Sequence, residues 1–468
     1  MPFQPNEKTN AIAYANTLLA GLNLPPLSDV PFIETHPAIN NARSGVQGHA
    51  HPSSNNKIIP AALADYADGA LLALKSVALD NPLKTKLPEY GANLLGERMA
   101  LFNTHPGEQV SAGGSCHFFE ARNGYLAINL ARYEDYDLLP ALTDAQIPIT
   151  TDKQILENAF KKFSIQDLIP RGRDLGLAIS AVALPDYDSF DNWVGMSPLA
   201  TSHYPSPKVS PLVVDLSSLW AGPLTGSLLG MLGAEVIKVE SSKRLDGARR
   251  DKSDDQGEKE FYDLMNGGKK SFTCDFTTQE GREQLLQLIE CADIVIEASR
   301  PRALRQLGIH AETLLAKKPG KVWLSITAFG HGPATENIIG FGDDIGVAAG
   351  LSSLMDIIHG RPLFVGDAIT DPLGGLHGAL AAWACWMNGG GMIDLSLYKV
   401  LGFALSQDPL IRAFKKNNLI RRTSDWTKTL NMSDENMYPV RKASKPAPPP
   451  GHHNEAVSYT HLTLPTKA

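Results

Sequence analysis

The sequence predicts an α/β protein: a Rossmann-like parallel sheet domain with a smaller α+β domain. Three observations predict it. The run Val213 to Glu240, VVDLSSLWAGPLTGSLLGMLGAEVIKVE, reads as buried strand, Gly-Pro turn, helix and second buried strand, which is a βαβ unit. Further apolar runs repeat the pattern downstream: a strand ending at Asp275, the run Ala292 to Glu297, and a strand leading into Ser325-Ile326-Thr327. The chain of 468 residues is long enough for two or three domains and a large core.

Each element has a local reason. The turn Trp220-Ala221-Gly222-Pro223 lies where a parallel strand gives way to a helix, the place where open α/β sheets bind ligands. Gly226, Gly230 and Gly233 let that helix lie close on its sheet. Taken alone, the unit fits an ordinary ligand-free βαβ equally well. Gly389-Gly390-Gly391 reads as a tight turn into the strand around Ile393-Asp394-Leu395, not as a phosphate loop. Residues 201–211, with Pro205, Pro207 and Pro211, read as a linker between an N-terminal region, 1–200, and the sheet region, 212–440. Residues 441–456 read as an extended C-terminal segment, PPII-like through the Pro-rich run Lys445 to Pro450. Residues 457–468 resemble an in-frame translation of adapter sequence and are set aside as an artefact.

Composition narrows the function. A hydrophobic content of 43% with 20% charged residues is that of a soluble globular protein. A net charge of -7 gives no reason to expect nucleic acid or an anionic membrane as partner. The four cysteines, Cys116, Cys274, Cys291 and Cys385, form no CxxC pair, which implies a reducing compartment and no metal site. MPFQPNEKTN lacks the basic and apolar regions of a signal peptide, and Ala379 to Met387 is too short to span a bilayer. A cytoplasmic location is expected.

The blocks also carry a resemblance. Asp215-Leu216-Ser217 to Ala221-Gly222-Pro223, then Leu232-Gly233-Ala234 and Ile237-Lys238-Val239-Glu240, resemble the opening of the class III CoA-transferases. This CaiB/BaiF-type family includes formyl-CoA and carnitine CoA-transferases and α-methylacyl-CoA racemases. Asn266-Gly267-Gly268-Lys269-Lys270-Ser271, Ala292 to Glu297 leading into Arg300-Pro301, and Ser325 to Gly330 continue it in the same order, and Gly451-His452-His453-Asn454-Glu455 resembles the family's ending. The N-terminal region is similar out of order. Ala112-Gly113-Gly114 to Leu130 resembles the start of the family's small domain, and Asp174 to Val182 its closing strand. Asp65-Tyr66-Ala67-Asp68-Gly69 echoes Asp371-Pro372-Leu373-Gly374-Gly375, each followed by an apolar helix. The arrangement is read as fused or permuted. A degenerate first copy keeps the small domain and has lost its front sheet; a second copy keeps the sheet and lacks a small domain.

The resemblance implies the CoA-transferase family III fold. It also implies a transferase moving CoA between an acyl-CoA and a carboxylic acid through an aspartyl covalent intermediate. Acyl-CoA and coenzyme A enter as substrates, no metal or redox cofactor is expected, and the assembly is a homodimer or an internal pseudo-dimer. Asp371 matches the family's nucleophilic aspartate, with Gly375 four residues on; Asp367 is the local competitor. A carboxylate can attack a thioester, but as a weak nucleophile it needs a dry site and N–H donors, which Gly374 and Gly375 are expected to supply. From local sequence alone, Asp371 before Pro372 is also a plain helix N-cap. For CoA, the matching positions are Trp220 and Ala221, then Met265, Asn266, Gly267, Gly268 and Lys269 (with Lys270 as alternative), and Arg300 as a phosphate contact. Two positions depart from the family: Ser241 where arginine is common and Ala298 where asparagine is common, with Arg249 and Arg250 as substitute charge. Racemases place a proton-shuttling His after a Gly; in Gly340-Phe341-Gly342-Asp343-Asp344 that place is read as Phe341, which disfavours an isomerase. His377, on an apolar helix, reads as a packing residue. A racemase-like isomerase and a non-catalytic acyl-CoA-binding chain are the alternatives.

Overall fold

The computed structural model describes residues 10–27, 31–47, 57–78, 81–198, 210–249, 256–433 and 436–462. The 201–211 linker lies outside them except for Ser210 and Pro211, as does Arg250. Among the described residues there are ten strands: β1 (Cys116–Ala121), β2 (Gly124–Asn129), β3 (Ala178–Ala181), β4 (Gly195–Pro198), β5 (Leu212–Asp215), β6 (Glu235–Ser241), β7 (Lys270–Cys274), β8 (Ile294–Glu297), β9 (Val322–Thr327) and β10 (Gly391–Ser396).

Seven strands form one sheet in the order β4-β10-β9-β8-β5-β6-β7, parallel except for β4, which pairs antiparallel with β10. The central strands are buried on both faces, which is why β5 (LVVD) and β8 (IVIE) read as unbroken apolar runs. From β5 the chain winds outward to β6 and β7, then returns to β8 on the other side of β5 and winds to β9 and β10. The carboxyl ends of β5 and β8 therefore flank the point where the winding reverses, the ligand crevice of doubly wound sheets.

The N-terminal region contributes more to this domain than its sequence suggested. It supplies the edge strand β4, and its helix Leu63–Val77 packs on both Ala11–Gly21 and the long helix Thr370–Met387. The two halves share one core: Tyr14 donates its hydroxyl to His377 Nε2 at 2.8 Å, and the indole of Trp193 meets the same ring. His377 is thus a buried packing residue, its Nδ1 on the Leu373 carbonyl. Thr370–Met387 in turn packs closely on Ala221–Met231. A Cβ on Gly378 would come within 2.6 Å of Thr225 Oγ1, and that hydroxyl donates to the Gly375 carbonyl.

The antiparallel sheet β1-β2-β3 forms the small α+β domain, with the helices Lys153–Phe160 and Ile165–Asp174 closing a separate core around Phe119, Leu126, Phe160 and Leu168. The C-terminal segment covers the free edge of β7. His453 N–H donates to the Ser271 carbonyl, and the Asn454 side chain both accepts from Thr273 N–H and donates to its carbonyl. An edge strand is thereby capped. Val457, the first residue of the segment set aside above, is fully buried against the second face of the large sheet. Among the described residues no helix is long and apolar enough to cross a membrane.

Candidate functional site

The turn after β5 is built on buried charge. Asp215 Oδ1 accepts from Ser217 N–H and from its hydroxyl, while Oδ2 pairs with Lys269 Nζ at 2.8 Å. Beside it Lys238 pairs with Asp246 at 2.8 Å and caps the Ser217 carbonyl. Asp246 Oδ1 accepts from Leu219 N–H, fixing Leu219 at a φ of 71°, a left-handed conformation rarely adopted by leucine. Burial alone would raise Asp215 and Asp246, but their lysines hold both below the usual carboxylate range. The network presents the next two residues, Trp220 and Ala221, at the start of the helix Ala221–Met231.

The Asn266–Lys270 stretch therefore differs from its expected role. Lys269 is buried, lowered to about 8 by burial against the opposing pull of Asp215, and its ammonium donates to Asp215, the Pro223 carbonyl and Asn266 Oδ1. An ammonium with three donors has none left for a phosphate. Met265 and Asn266 are interior, and Lys270 pairs with Glu235 at 2.5 Å. Gly267 is pressed on the C-terminal segment, where a Cβ would come within 2.2 Å of the Lys445 carbonyl; only Gly268, at a φ of 86°, faces open space. The signal missed was the acidic end of β5, which claims the lysine.

Asp371 lies in the first turn of Thr370–Met387, whose N-cap is Ile369, so it is not the N-cap that the local sequence suggested. Its half-buried carboxylate instead takes the backbone N–H of Ala221, the first residue of a different helix. Gly342 closes the other side; a Cβ there would come within 2.4 Å of Asp371 Oδ2. Gly374 and Gly375 lie inside the helix against Leu397 and Leu224, so they serve packing rather than an oxyanion. Asp367 is buried and ion-paired to Arg98, whose Nη1 is 2.7 Å from each carboxylate oxygen. Asp343 accepts from Ala368 N–H at 2.9 Å, with Ser111 beside it. Three carboxyls thus share one guanidinium. Burial, then the charge of Asp343, pushes Asp371 up to about 7, with Arg98 opposing; Asp343 and Asp367 are likewise raised by burial.

Arg98 is the site residue that the sequence did not reveal. It comes from the N-terminal helix Asn93–Phe102, where NLLGERMALF carries no motif. Its guanidinium lies over Phe102 at 4.8 Å and over Trp220 and Phe261 at 5.7 Å each, an aromatic frame that spans both halves. Gly113, from the start of the small domain, stacks on it; a Cβ there would sit 3.4 Å from Arg98 Nη1. Trp220 is buried and edge-on to Phe261 at 5.0 Å, and its Nε1 has no hydrogen-bond partner among the described residues. A buried indole donor left unmet among the described residues is a ready contact for a ligand oxygen.

Phe341 caps its helix through its N–H bond to Asp344, and the charge of Asp343 in the same run acts on Asp371. Arg249 is not free charge: it pairs with Glu240 at 2.8 Å and donates to the Pro448 carbonyl. Arg300, by contrast, is exposed after β8, and the charges acting on it are Arg302, Arg132 and Arg244. Arg244 follows β6, Arg300 and Arg302 follow β8, and Arg132 follows β2 of the small domain. Arg132 is already ion-paired to the buried Asp135, so the guanidiniums of Arg244, Arg300 and Arg302 are the ones that flank the Trp220 turn at the carboxyl edge.

Residues 211–441 match the family described as CoA-transferase family III. A probable fatty acyl-CoA transferase of Mycobacterium tuberculosis is 34% identical over 35% of this chain and 42% of its own length. Succinyl-CoA–D-citramalate CoA-transferase of Chloroflexus aurantiacus is 28% identical over 53% of this chain and 62% of its own. The chain thus spans about half the length of the curated relatives it matches. Among solved structures, a CaiB/BaiF family protein from Brucella suis aligns at 22% identity over 55% of this chain and 99% of its own, with a TM-score of 0.40.

Proposed function

The chain belongs, through residues 211–441, to CoA-transferase family III, and on that premise we propose that it moves CoA between an acyl-CoA and a carboxylic acid with Asp371 as the acylated residue. The observation that carries this is the setting of Asp371: a half-buried carboxylate on the Ala221 N–H, walled by Gly342 and balanced by Arg98. The Asp371 carboxylate attacks the thioester carbonyl, the C–S bond breaks, CoA leaves as thiolate and a mixed anhydride remains. The thiolate then attacks the Asp371 carbonyl, which frees the first acid and leaves an aspartyl-CoA thioester. The acceptor carboxylate reverses the two steps. Trp220 Nε1 is the donor for the developing oxyanion. Arg244 and Arg300 take the CoA phosphates in place of the arginine absent at Ser241. Arg98 and Gly113 come from the N-terminal half, so one chain furnishes both sides of the site, which supports an internal pseudo-dimer.

Hydroxylamine tests the reading. In the presence of an acyl-CoA it should inactivate the protein and leave a hydroxamate at residue 371; full activity after trapping, with CoA bound, would refute an aspartyl intermediate. Asp343 beside Asp371 favours one second reading, proton exchange by an isomerase. Deuterium entering the α-carbon of a branched acyl-CoA in heavy water would establish it.

A further inference from the structure

Asp343 is a buried carboxyl beside Asp371 that the CoA transfer described above does not use. It opens the helix Gly342–Ala348 next to Gly342, where a Cβ would come within 2.4 Å of Asp371 Oδ2 and 2.6 Å of the Ala368 Cβ. Its own Oδ1 takes the Ala368 N–H at 2.9 Å, and the Ala368 carbonyl accepts from Asp371 N–H at 2.8 Å. The Thr370 hydroxyl donates to the Gly342 carbonyl at 3.1 Å. One turn, residues 368–371, therefore holds both carboxyls across a single glycine.

The charges there do not balance. Arg98 is the cation acting on Asp343, Asp367 and Asp371, and it is committed to Asp367, whose two oxygens each lie 2.7 Å from its Nη1. The other groups facing Asp343 are Ser111, which hydrogen-bonds it, Asp344 of its own helix and Cys116 of β1. β3, packed on the same helix, carries no titratable residue. None of these adds a positive charge. Two neighbouring carboxyls out of bulk water do not both ionise freely; one keeps its proton to higher pH, and they titrate as a pair. Burial raises both, and a neighbouring carboxylate raises each further, Asp367 for Asp343 and Asp343 for Asp371. Depth decides where the proton stays. Asp343 is 8% exposed, whereas Asp371 is half-buried and takes the Ala221 N–H at the start of an eleven-residue helix. Water and the helix end both meet a negative charge better at Asp371. We propose that Asp343 is the proton partner of Asp371: the two hold one proton between them, and it stays on Asp343 while Asp371 attacks. Asp343 touches no reacting atom and is a positioning residue, which keeps the charge on Asp371. Its use in the reaction rests on the CoA-transferase reading; the pair itself does not.

Infrared titration of the full chain counts this proton without any substrate. The carboxylic-acid C=O band is followed with pH in the unsubstituted chain, Asp343→Asn, Asp371→Asn and Asp343→Glu; differences between them remove the other buried acids. The pair should lose its protons in two steps at least about one pH unit apart. Asp343→Asn should leave one step, for Asp371, near the lower of the two, and Asp343→Glu should keep both. A step for Asp371 that Asp343→Asn does not move would mean independent carboxyls and would overturn the inference. The role in the reaction is read from the rate of adduct formation with each acyl-CoA that acylates the chain. In the unsubstituted chain that rate should rise with pH and then fall, because an ionised Asp343 opposes the negative charge developing at the thioester. Asp343→Asn should lose the falling limb. A falling limb that persists in Asp343→Asn would assign it to another group and overturn the role. Adducts that form beside independent carboxyls would leave the transferase reading standing without this inference. Coupled steps with no adduct from any acyl-CoA would remove the transferase reading, and with it the role of the proton.

Discussion

Asp65 and Asp371 open two helices of one design, each an aspartate with a glycine four residues on and an apolar run behind it, and the helices pack against each other. Their carboxyls have opposite surroundings. Asp65 is buried and accepts from Asn40 Nδ2 at 2.7 Å; the same amide reaches Asp68 at 2.8 Å, and Tyr438 closes the set on Asn40 Oδ1. No cation is among the groups acting on Asp65, and burial raises it well above an ordinary carboxyl. Asp371 keeps part of its surface open, with a helix N–H on one side and a guanidinium nearby. The difference lies in the neighbours. The Ala221 N–H is supplied where β5 turns into its helix, whereas the helix of Asp65 packs among other helices. The same signature gives a sealed structural acid in one half and an accessible carboxylate in the other.

Exchanging each aspartate for its amide is the largest test of this contrast. Asp371→Asn should lower turnover by about 10⁴-fold or more, the scale of losing a nucleophile. Asp65→Asn, an isosteric change at a carboxyl that burial holds well above its ordinary range, should keep turnover within about tenfold in the same steady-state assay. Equal losses would erase the distinction.

Arg98 comes next. Arg98→Met leaves Asp367 buried without its cation and should cost about 3–5 kcal/mol in denaturant unfolding, part of it recovered by adding Asp367→Asn. As the proposed nucleophile Asp371 must be ionised, and burial pushes its carboxyl up to about 7, so turnover should rise with pH through about 7. Without Arg98 that midpoint should move upward, since the guanidinium opposes the rise. A midpoint that stays or falls would contradict the charge balance described above.

Asp344 gives a smaller, pH-dependent effect. Its folded pKa, about 8, lies above the ordinary carboxyl value of about 4. Its stabilising contribution is therefore complete below about 4 and lost as the pH rises through 8. Between pH 5 and 9 the Tm of Asp344→Asn should fall less than that of the unsubstituted chain, by about 2–4 °C. Smallest is Tyr14→Phe, which removes the donor to His377 between the halves. It should cost about 1–2 kcal/mol in unfolding and leave turnover intact.

The parallel sheet was legible because doubly buried strands write themselves as apolar runs between turn residues, as in VVD and IVIE. The turn at Trp220 and Ala221 and the helix start at Asp371 are marked by the pattern, and the structure brings the Ala221 N–H to the Asp371 carboxylate. Lys269 was misassigned because a buried lysine and a phosphate-binding one look alike in sequence; only the fold shows Asp215 beneath it. Arg98 was invisible because its place depends on packing of the N-terminal half, with 269 residues separating it from Asp367. The edge strand β4 was missed for the same reason: GMSP has no strand pattern, and its pairing with β10 decides it.

The most direct test of the account is intact-protein mass spectrometry after incubation with a panel of acyl-CoAs, comparing the unsubstituted chain with Asp371→Ala and Asp65→Ala. The account predicts a covalent acyl or CoA adduct on the unsubstituted chain and on Asp65→Ala, and none on Asp371→Ala. An adduct that persists on Asp371→Ala, or none on any chain while CoA binds, would contradict it.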